Sequence, residues 1–206
     1  MIIKQLAVGV FAENCYVVGC EKTREGVVID PGDEIGRILR AIQKHSLKIQ
    51  HILLTHAHID HVKEAQAIKA QLNVPLYMHR ADQLLLDNML AQAAAFGLAT
   101  SGIPIVDHYF EEGETIEFGE HIFNVVHTPG HSPGSVSFIA PRVAFVGDVL
   151  FAGSIGRTDL PGGDFATLID SIKSKLFSLG DNTMVYPGHG PATTIGDERR
   201  TNPFMM

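Results

Sequence analysis

Residues 55–61 read Thr55-His56-Ala57-His58-Ile59-Asp60-His61, and their neighbours on either side decide the fold. Before them, Ile49 to Leu54 is a short apolar segment that reads as a buried strand. After them, Val62, Ala65, Ala67, Ile68 and Leu72 repeat at helical spacing, predicting a helix from His61 to about Leu72. A polar loop between a buried strand and a helix gathers its side chains at the strand's carboxyl edge, where layered α/β proteins place their sites. Three imidazoles and a carboxylate within six residues are borderline ligands that suit zinc, iron or manganese. His56 and His58, two apart on an extended loop, can point to one side and share an ion. Asp60 and His61, at the helix start, would face a second ion nearby.

The same arrangement recurs further along the chain. His131 lies in Thr128-Pro129-Gly130-His131-Ser132-Pro133-Gly134, directly after a strand pattern at 121–127. Asp148 follows the apolar run 142–146, and His189 follows Met184–Tyr186 in Tyr186-Pro187-Gly188-His189-Gly190. Each sits at a strand exit, and the glycine or proline beside it lets the backbone turn tightly there. One Gly-His pair carries little information; four strand-exit motifs in one chain carry a great deal.

Around these motifs the chain alternates. Strands are expected at 2–6, 14–20, 26–29 and 76–78. Asp33 is expected to cap a helix from Glu34 to Lys44, with Ile35, Ile38, Leu39 and Ile42 as its buried stripe. A second helix is expected at 80–91. Residues 92–106 have no clear period and read as a flap, with Phe96, Leu98 and Ile103 as candidates to line it. Strands then follow at 115–118, 121–127, 135–139 and 142–146, with a late helix at 165–177. This order predicts a layered α/β protein with mixed sheets.

Composition narrows the function classes. Hydrophobic residues make up 45% of 206, and the mean hydropathy is +0.12, which rules out disorder for the chain as a whole. A formal charge of −7 repels phosphate backbones and argues against a nucleic-acid partner. The chain has no apolar run of membrane-spanning length and no basic-then-apolar leader, so the expected compartment is the cytoplasm, away from membranes. Cys15 and Cys20, five apart on one extended segment, cannot reach disulfide geometry and read as small buried hydrophobes. Of the eleven histidines, His45, His51, His79, His108, His121 and His127 fall outside the motifs and read as surface or strand residues.

The pattern Thr-His-x-His-x-Asp-His, followed by His131, Asp148 and His189, resembles the metallo-β-lactamase superfamily over nearly the whole chain. The resemblance implies an αββα sandwich, two mixed β-sheets flanked by helices, as a single domain over 1–206. It implies two divalent metal ions, zinc first, with iron or manganese also compatible. His56, His58 and His131 would hold one ion, Asp60, His61 and His189 the other, and Asp148 would bridge them. Asp30, in Val28-Ile29-Asp30-Pro31-Gly32, falls where the family has a buried carboxylate that orients a ligand histidine. The same Asp also reads as the start of a turn.

Within the superfamily, an aspartate at 148 rather than a cysteine argues against the commonest zinc β-lactamases. Gly147-Asp148-Val149-Leu150-Phe151 and Gly156-Arg157-Thr158-Asp159 are similar to the glyoxalase II group, which hydrolyses glutathione thioesters. The ending Gly188-His189-Gly190-Pro191 and Glu198-Arg199-Arg200-Thr201-Asn202-Pro203-Phe204 resembles a short bacterial branch of that group. Glutathione-binding members carry a basic residue nine positions after the bridging aspartate, which Arg157 matches as a candidate substrate contact. They carry an aromatic two further on, where this chain has Asp159, and a tyrosine two past the last histidine, where it has Pro191. Their C-terminal helical domain has no counterpart in the 17 residues after His189.

The resemblance therefore implies a dinuclear hydrolase of small acyl thioesters such as S-lactoylglutathione. A hydroxide shared by the ions would attack, with Asp60 and Asp148 as the carboxylates beside it. The competing expectations are a mononuclear iron persulfide dioxygenase, which shares the Gly-Arg-Thr-Asp turn, a lactonase, and a metal-stabilised module without turnover.

Overall fold

The computed structural model describes residues 1–206. Its first sheet holds β1 (Ile2–Val8), β2 (Glu13–Gly19), β3 (Glu25–Ile29), β4 (Lys48–Leu53), β5 (Leu76–His79) and β6 (His108–Phe110), side by side in chain order. The first three strands are antiparallel and the remaining pairings are parallel. Parallel neighbours need crossovers, and helices supply them. Helix α1 (Ile35–Lys44) joins β3 to β4, α2 (Ile59–Val62) and α3 (Ala65–Leu72) join β4 to β5, and α4 (Gln83–Asp87) and α5 (Met89–Ala95) precede β6.

The second sheet begins with β7 (Thr115–Phe118), β8 (His121–His127), β9 (Val136–Ala140) and β10 (Val143–Gly147). A separate hairpin of β11 (Leu150–Phe151) and β12 (Ser154–Ile155) follows, then α6 (Phe165–Ser171), which runs on into a π-helical turn. Strands β13 (Met184–Pro187) and β14 (Thr193–Thr194) complete the sheet beside β10, and α7 (Ile195–Thr201) closes the chain. Strand β13 runs parallel to β10, and every other pairing in this sheet is antiparallel, so both sheets are mixed.

Strand β2 shows why the sheets stack. All seven of its residues are buried, and they divide by the two-residue period of a strand. Tyr16 and Val18 turn inward, toward Phe123, Phe138 and Phe145 of the second sheet. Cys15 and Val17 turn outward, into a layer with Ile38, Ile42 and Ile68 of the helices. A third layer puts Ala144, Val146 and Val185 against Leu168, Ile172 and Ile195. The layers are thus helix, sheet, sheet, helix. Both cysteines are free and buried. No helix is long and apolar enough to cross a membrane.

Several expected elements change shape on packing. The helix expected from His61 to Leu72 breaks at Lys63 and Glu64, because the Glu64 amide turns away to donate to Pro31 O at 3.1 Å. The helix expected at 80–91 begins as a 3-10 turn, Arg80–Asp82, which aims the Asp82 side chain inward, and is interrupted again at Asn88. Asp33 does not cap α1. Glu34 occupies the cap position at φ 51°, while Asp33 accepts the Glu34 amide at 2.7 Å and pairs with Lys63 at 3.0 Å.

The expected flap is fastened along α3 instead. Thr100 and Ser101 donate to Lys63 O at 3.2 and 3.1 Å, and Lys69 Nζ donates to Ile105 O at 2.6 Å. Leu98 packs on the helical layer and Ile103 faces outward, so of the three candidates Phe96 alone reaches the site. Strands β6, β11, β12 and β14 and helix α7 went unread in the sequence; they run from two to seven residues, too short to show a clear period.

Candidate metal centre

All seven candidate ligands converge on one edge of the sandwich. His56 and His58 leave β4, Asp60 and His61 lie in α2, and His131, Asp148 and His189 follow β8, β10 and β13. His131 Nε2 is 2.8 Å from His58 Nδ1 and 3.2 Å from His56 Nε2. Asp60 Oδ2 is 3.2 Å from His189 Nε2 and 3.8 Å from His61 Nε2. The ligand atoms of each trio lie within 4.8 Å of one another. Asp148 stands between the trios: Oδ1 is 3.4 Å from His61 Nε2, and Oδ2 is 3.6 Å from both His131 Nε2 and His189 Nε2.

The far side of each ring fixes which nitrogen faces the centre. His61 Nδ1 meets Asp30 Oδ2 at 3.0 Å, His131 Nδ1 donates to Arg157 O at 2.7 Å, and His189 Nδ1 donates to Phe11 O at 3.2 Å. Each of those rings, when neutral, therefore turns a bare Nε2 lone pair inward. For His61 and His189 that lone pair faces carboxylate oxygens. Lone pairs aimed at carboxylates repel unless a proton or a cation lies between them. His61 Nε2 and Asp148 Oδ1 are buried without any hydrogen-bond partner, which is what a cation between them would satisfy. This donor set, imidazole and carboxylate without thiolate, fits divalent zinc, iron or manganese.

Electrostatics sort the rings. Burial, reinforced by His131 and His61, pushes His58 down to about 4. Burial and the neighbouring imidazoles likewise push His56 well down, so both rings are neutral at pH 7. Burial opposes charge on His61 too, but Asp148 and Asp60 outweigh it and push that ring well up. The Asp148 carboxyl is held well below the usual range, since His61 and the other rings overcome its burial.

Asp30 acts as a support as well as a turn. It sits at φ 48°, a left-handed conformation that costs a non-glycine residue about 1–3 kcal/mol. Its carboxylate accepts the Thr55 amide at 2.7 Å and the Thr55 hydroxyl at 2.5 Å, besides meeting His61. Gly188 is required by close approach: a Cβ there would run into Asp148 Oδ1 and His61 Cε1.

Sequence reading missed three supporting residues. Asp82 is buried and joins two ligand loops: Oδ2 accepts the Ala57 amide (3.0 Å) and the Ser132 hydroxyl (2.8 Å), and Oδ1 accepts the Gly134 amide (2.6 Å). Nothing in Arg80-Ala81-Asp82 marks it. Asn14 Nδ2 donates to Pro187 O and Gly190 O, and Tyr16 Oη to Pro187 O at 2.6 Å, latching the His189 loop to β2. An asparagine inside an apolar strand was the available signal. Glu13 lies beside them, fully buried, with both oxygens unpartnered and Oε1 3.8 Å from His61 Nδ1; burial pushes its carboxyl well up.

Above the ligands opens a cavity of about 410 Å³. Its wall includes Phe11, Phe96, Phe151 and Ile155, with Phe11 and Phe96 edge to face at 5.2 Å. Arg157 also lines it, but its Nε and Nη2 are both engaged by Asp159 at 2.7 Å, and the pair is exposed.

Comparison with known proteins agrees with this geometry. A family model described as the metallo-beta-lactamase superfamily matches residues 8–189. Hydroxyacylglutathione hydrolase GloC of Haemophilus influenzae is 40% identical over 209 residues, covering 100% of this chain and 98% of that protein. Among solved structures, TTHA1623 in a di-iron-bound form superposes with a TM-score of 0.88 at 45% identity, covering 98% of this chain and 99% of that one. The BLEG-1 B3 metallo-beta-lactamase superposes with a TM-score of 0.91 at 38% identity, covering both chains completely.

Proposed function

The chain belongs to the metallo-beta-lactamase superfamily of metal-dependent hydrolases, and from that premise we propose that it hydrolyses small acyl thioesters such as S-lactoylglutathione. The observation that carries the reading is Asp148, within 3.4–3.6 Å of histidines from both trios, at the floor of the cavity. On this reading His56, His58 and His131 hold one ion and Asp60, His61 and His189 the second, with Asp148 between them. Zinc fits the donors, and the di-iron-bound form of TTHA1623 supports iron as the alternative. When bound, such ions lower the pKa of water and neutralise charge developing on a carbonyl oxygen.

The remaining work falls to the chain. Asp30, Arg157 O and Phe11 O hold three rings so that their Nε2 atoms face inward. Asp60 lines the cavity, and with Oδ2 turned to His61 and His189 its other oxygen would accept a hydrogen bond from the attacking water and orient it. Phe11, Phe96 and Phe151 exclude bulk water around the acyl group. A thiolate leaves with little protonation, so the ionised Asp60 and Asp148 need not serve as acids. Residues 1–206 act as one domain, and Arg157, on the cavity wall, is the candidate contact for a glutathione carboxylate. That carboxylate would have to compete with Asp159.

The test is hydrolysis of S-lactoylglutathione by protein whose metal content is measured in the same preparation. Turnover with about two metals per chain is expected. Turnover of lactones or β-lactams in its place would move the substrate and keep the hydrolase. One iron per chain with persulfide-dependent oxygen uptake would replace the reading with the dioxygenase.

A further inference from the structure

Glu198 is a carboxylate of α7 that faces inward and is 3% exposed. Its oxygens are fully used. Oε1 accepts the Thr193 hydroxyl at 2.6 Å, and Oε2 accepts the Gly153 amide at 2.9 Å and Asn202 Nδ2 at 2.8 Å. Asn202, also fully buried, spends its second amide hydrogen on Ser154 O at 2.9 Å. Its Oδ1 accepts the Phe204 amide at 3.0 Å. Two side chains one helical turn apart therefore grip Gly153 and Ser154, at the tip of the β11–β12 hairpin.

That hairpin has two residues per strand and belongs to neither large sheet. So short a ribbon has little stability of its own. Its ends are committed to the metal centre: Asp148 stands two residues before it, and Arg157, whose carbonyl orients His131, two residues after. Between those ends it delivers Phe151, Ser154 and Ile155 to the cavity wall. Phe151 also sits 6.2 Å, edge to face, from the His189 ring. Only the tip lacks support from the centre, and the tip is where α7 takes hold.

We propose that Glu198 and Asn202 are positioning residues that set substrate selectivity by fixing the β11–β12 hairpin as one wall of the cavity. The grip gives the Glu198-to-Phe204 motif a task apart from the metal ions. Its effect on acyl selectivity rests on the hydrolase reading; its effect on the hairpin does not.

Two variants of the full-length, metal-loaded protein separate the grip from general stability. Glu198→Ala removes all three contacts. Glu198→Gln retains them, since its oxygen can accept from Gly153 and Asn202 while its amide donates to the Thr193 hydroxyl. Hydrogen exchange in the 150–156 peptide should rise about tenfold or more in the first and stay near wild type in the second. With S-lactoylglutathione and a short series of S-acylglutathiones, Glu198→Ala should raise KM about tenfold. Its kcat should stay within about threefold, its metal content should be unchanged, and Glu198→Gln should restore KM.

Wild-type exchange and KM in Glu198→Ala would overturn the proposal. So would equal damage in Glu198→Gln, or loosening spread evenly over the chain. Should Glu198→Ala fail to fold, Thr193→Val removes one contact. Faster exchange confined to 150–156 would then support the grip, and no change would overturn it. Absence of thioester turnover in the wild type would end the proposed function, while the exchange measurement would still decide the grip.

Discussion

On the floor of the cavity three rings are held from behind: His61 by Asp30, His131 by the Arg157 carbonyl, His189 by the Phe11 carbonyl, at 2.7–3.2 Å. On the rim the side chains hold one another. Phe11 and Phe96 meet edge to face, with Phe96 58% exposed, and Arg157 and Asp159 pair in the open. The floor is buried and polar, so a lost partner leaves a charge or lone pair that water cannot reach. The rim is wet, and a lost contact there is replaced by solvent. The chemistry of the site is therefore costly to change and its selectivity cheap.

Asp148→Ala should break the floor most completely. Metal and activity should be lost together, by about a thousandfold or more in kcat/KM, as read by metal analysis beside a thioester assay. A fully active, metal-loaded variant would sink the bridging role. Asp82→Asn comes next. Its amide must oppose an Ala57 or Gly134 donor, so metal affinity should fall about 10–100-fold in competition with a chelator. A lower Tm at unchanged affinity would show that the floor tolerates a loosened loop.

Protonation tests the floor without metal. His58, at about 4, lies below the ordinary 6.5, so the unfolded chain binds more protons between those values. Stability of chelated protein should therefore be full above about pH 6.5 and fall toward pH 4, by on the order of 2–3 kcal/mol from this ring. His61, pushed up, has the opposite sign: its contribution is full below about pH 6.5 and is lost as pH rises through its raised value. Thermal melts across pH should show both limbs, and His58→Gln should flatten the acid one.

The rim should respond less. Phe96→Ala should raise KM about three- to tenfold while metal content and Tm hold. Arg157→Ala should change KM for S-lactoylglutathione by no more than about threefold, because an exposed, already paired guanidinium has little to give. A larger loss would promote Arg157 to a true carboxylate contact and make the rim less permissive than its exposure suggests.

How much was legible follows from where each signal sits. The ligand motifs are local: a ligand at a strand exit needs a turn beside it, so glycine, proline and histidine appear together at 55–61, 128–134, 147–148 and 186–190. Asp82 and Asn14 leave no such mark. Their partners lie 25–52 and 173–176 residues away, and no run of neighbours encodes a contact at that distance. The helices expected at 61–72 and 80–91 had the right period, yet tertiary hydrogen bonds at Glu64 and Asp82 outweighed helical continuity.

The residues alone determined the layered α/β class and the seven side chains that converge, because periodicity and strand-exit turns are properties of adjacent residues; the superfamily came from the resemblance those motifs carry. Tertiary structure decided which groups stand behind the rings, that the 92–106 segment brings Gln92 and Phe96 to the cavity while residues 100–105 fasten to Lys63, Gln66 and Lys69, and that Arg157 is taken by Asp159. Those outcomes depend on which buried polar groups find partners across the fold, and burial exists only once both sheets have closed.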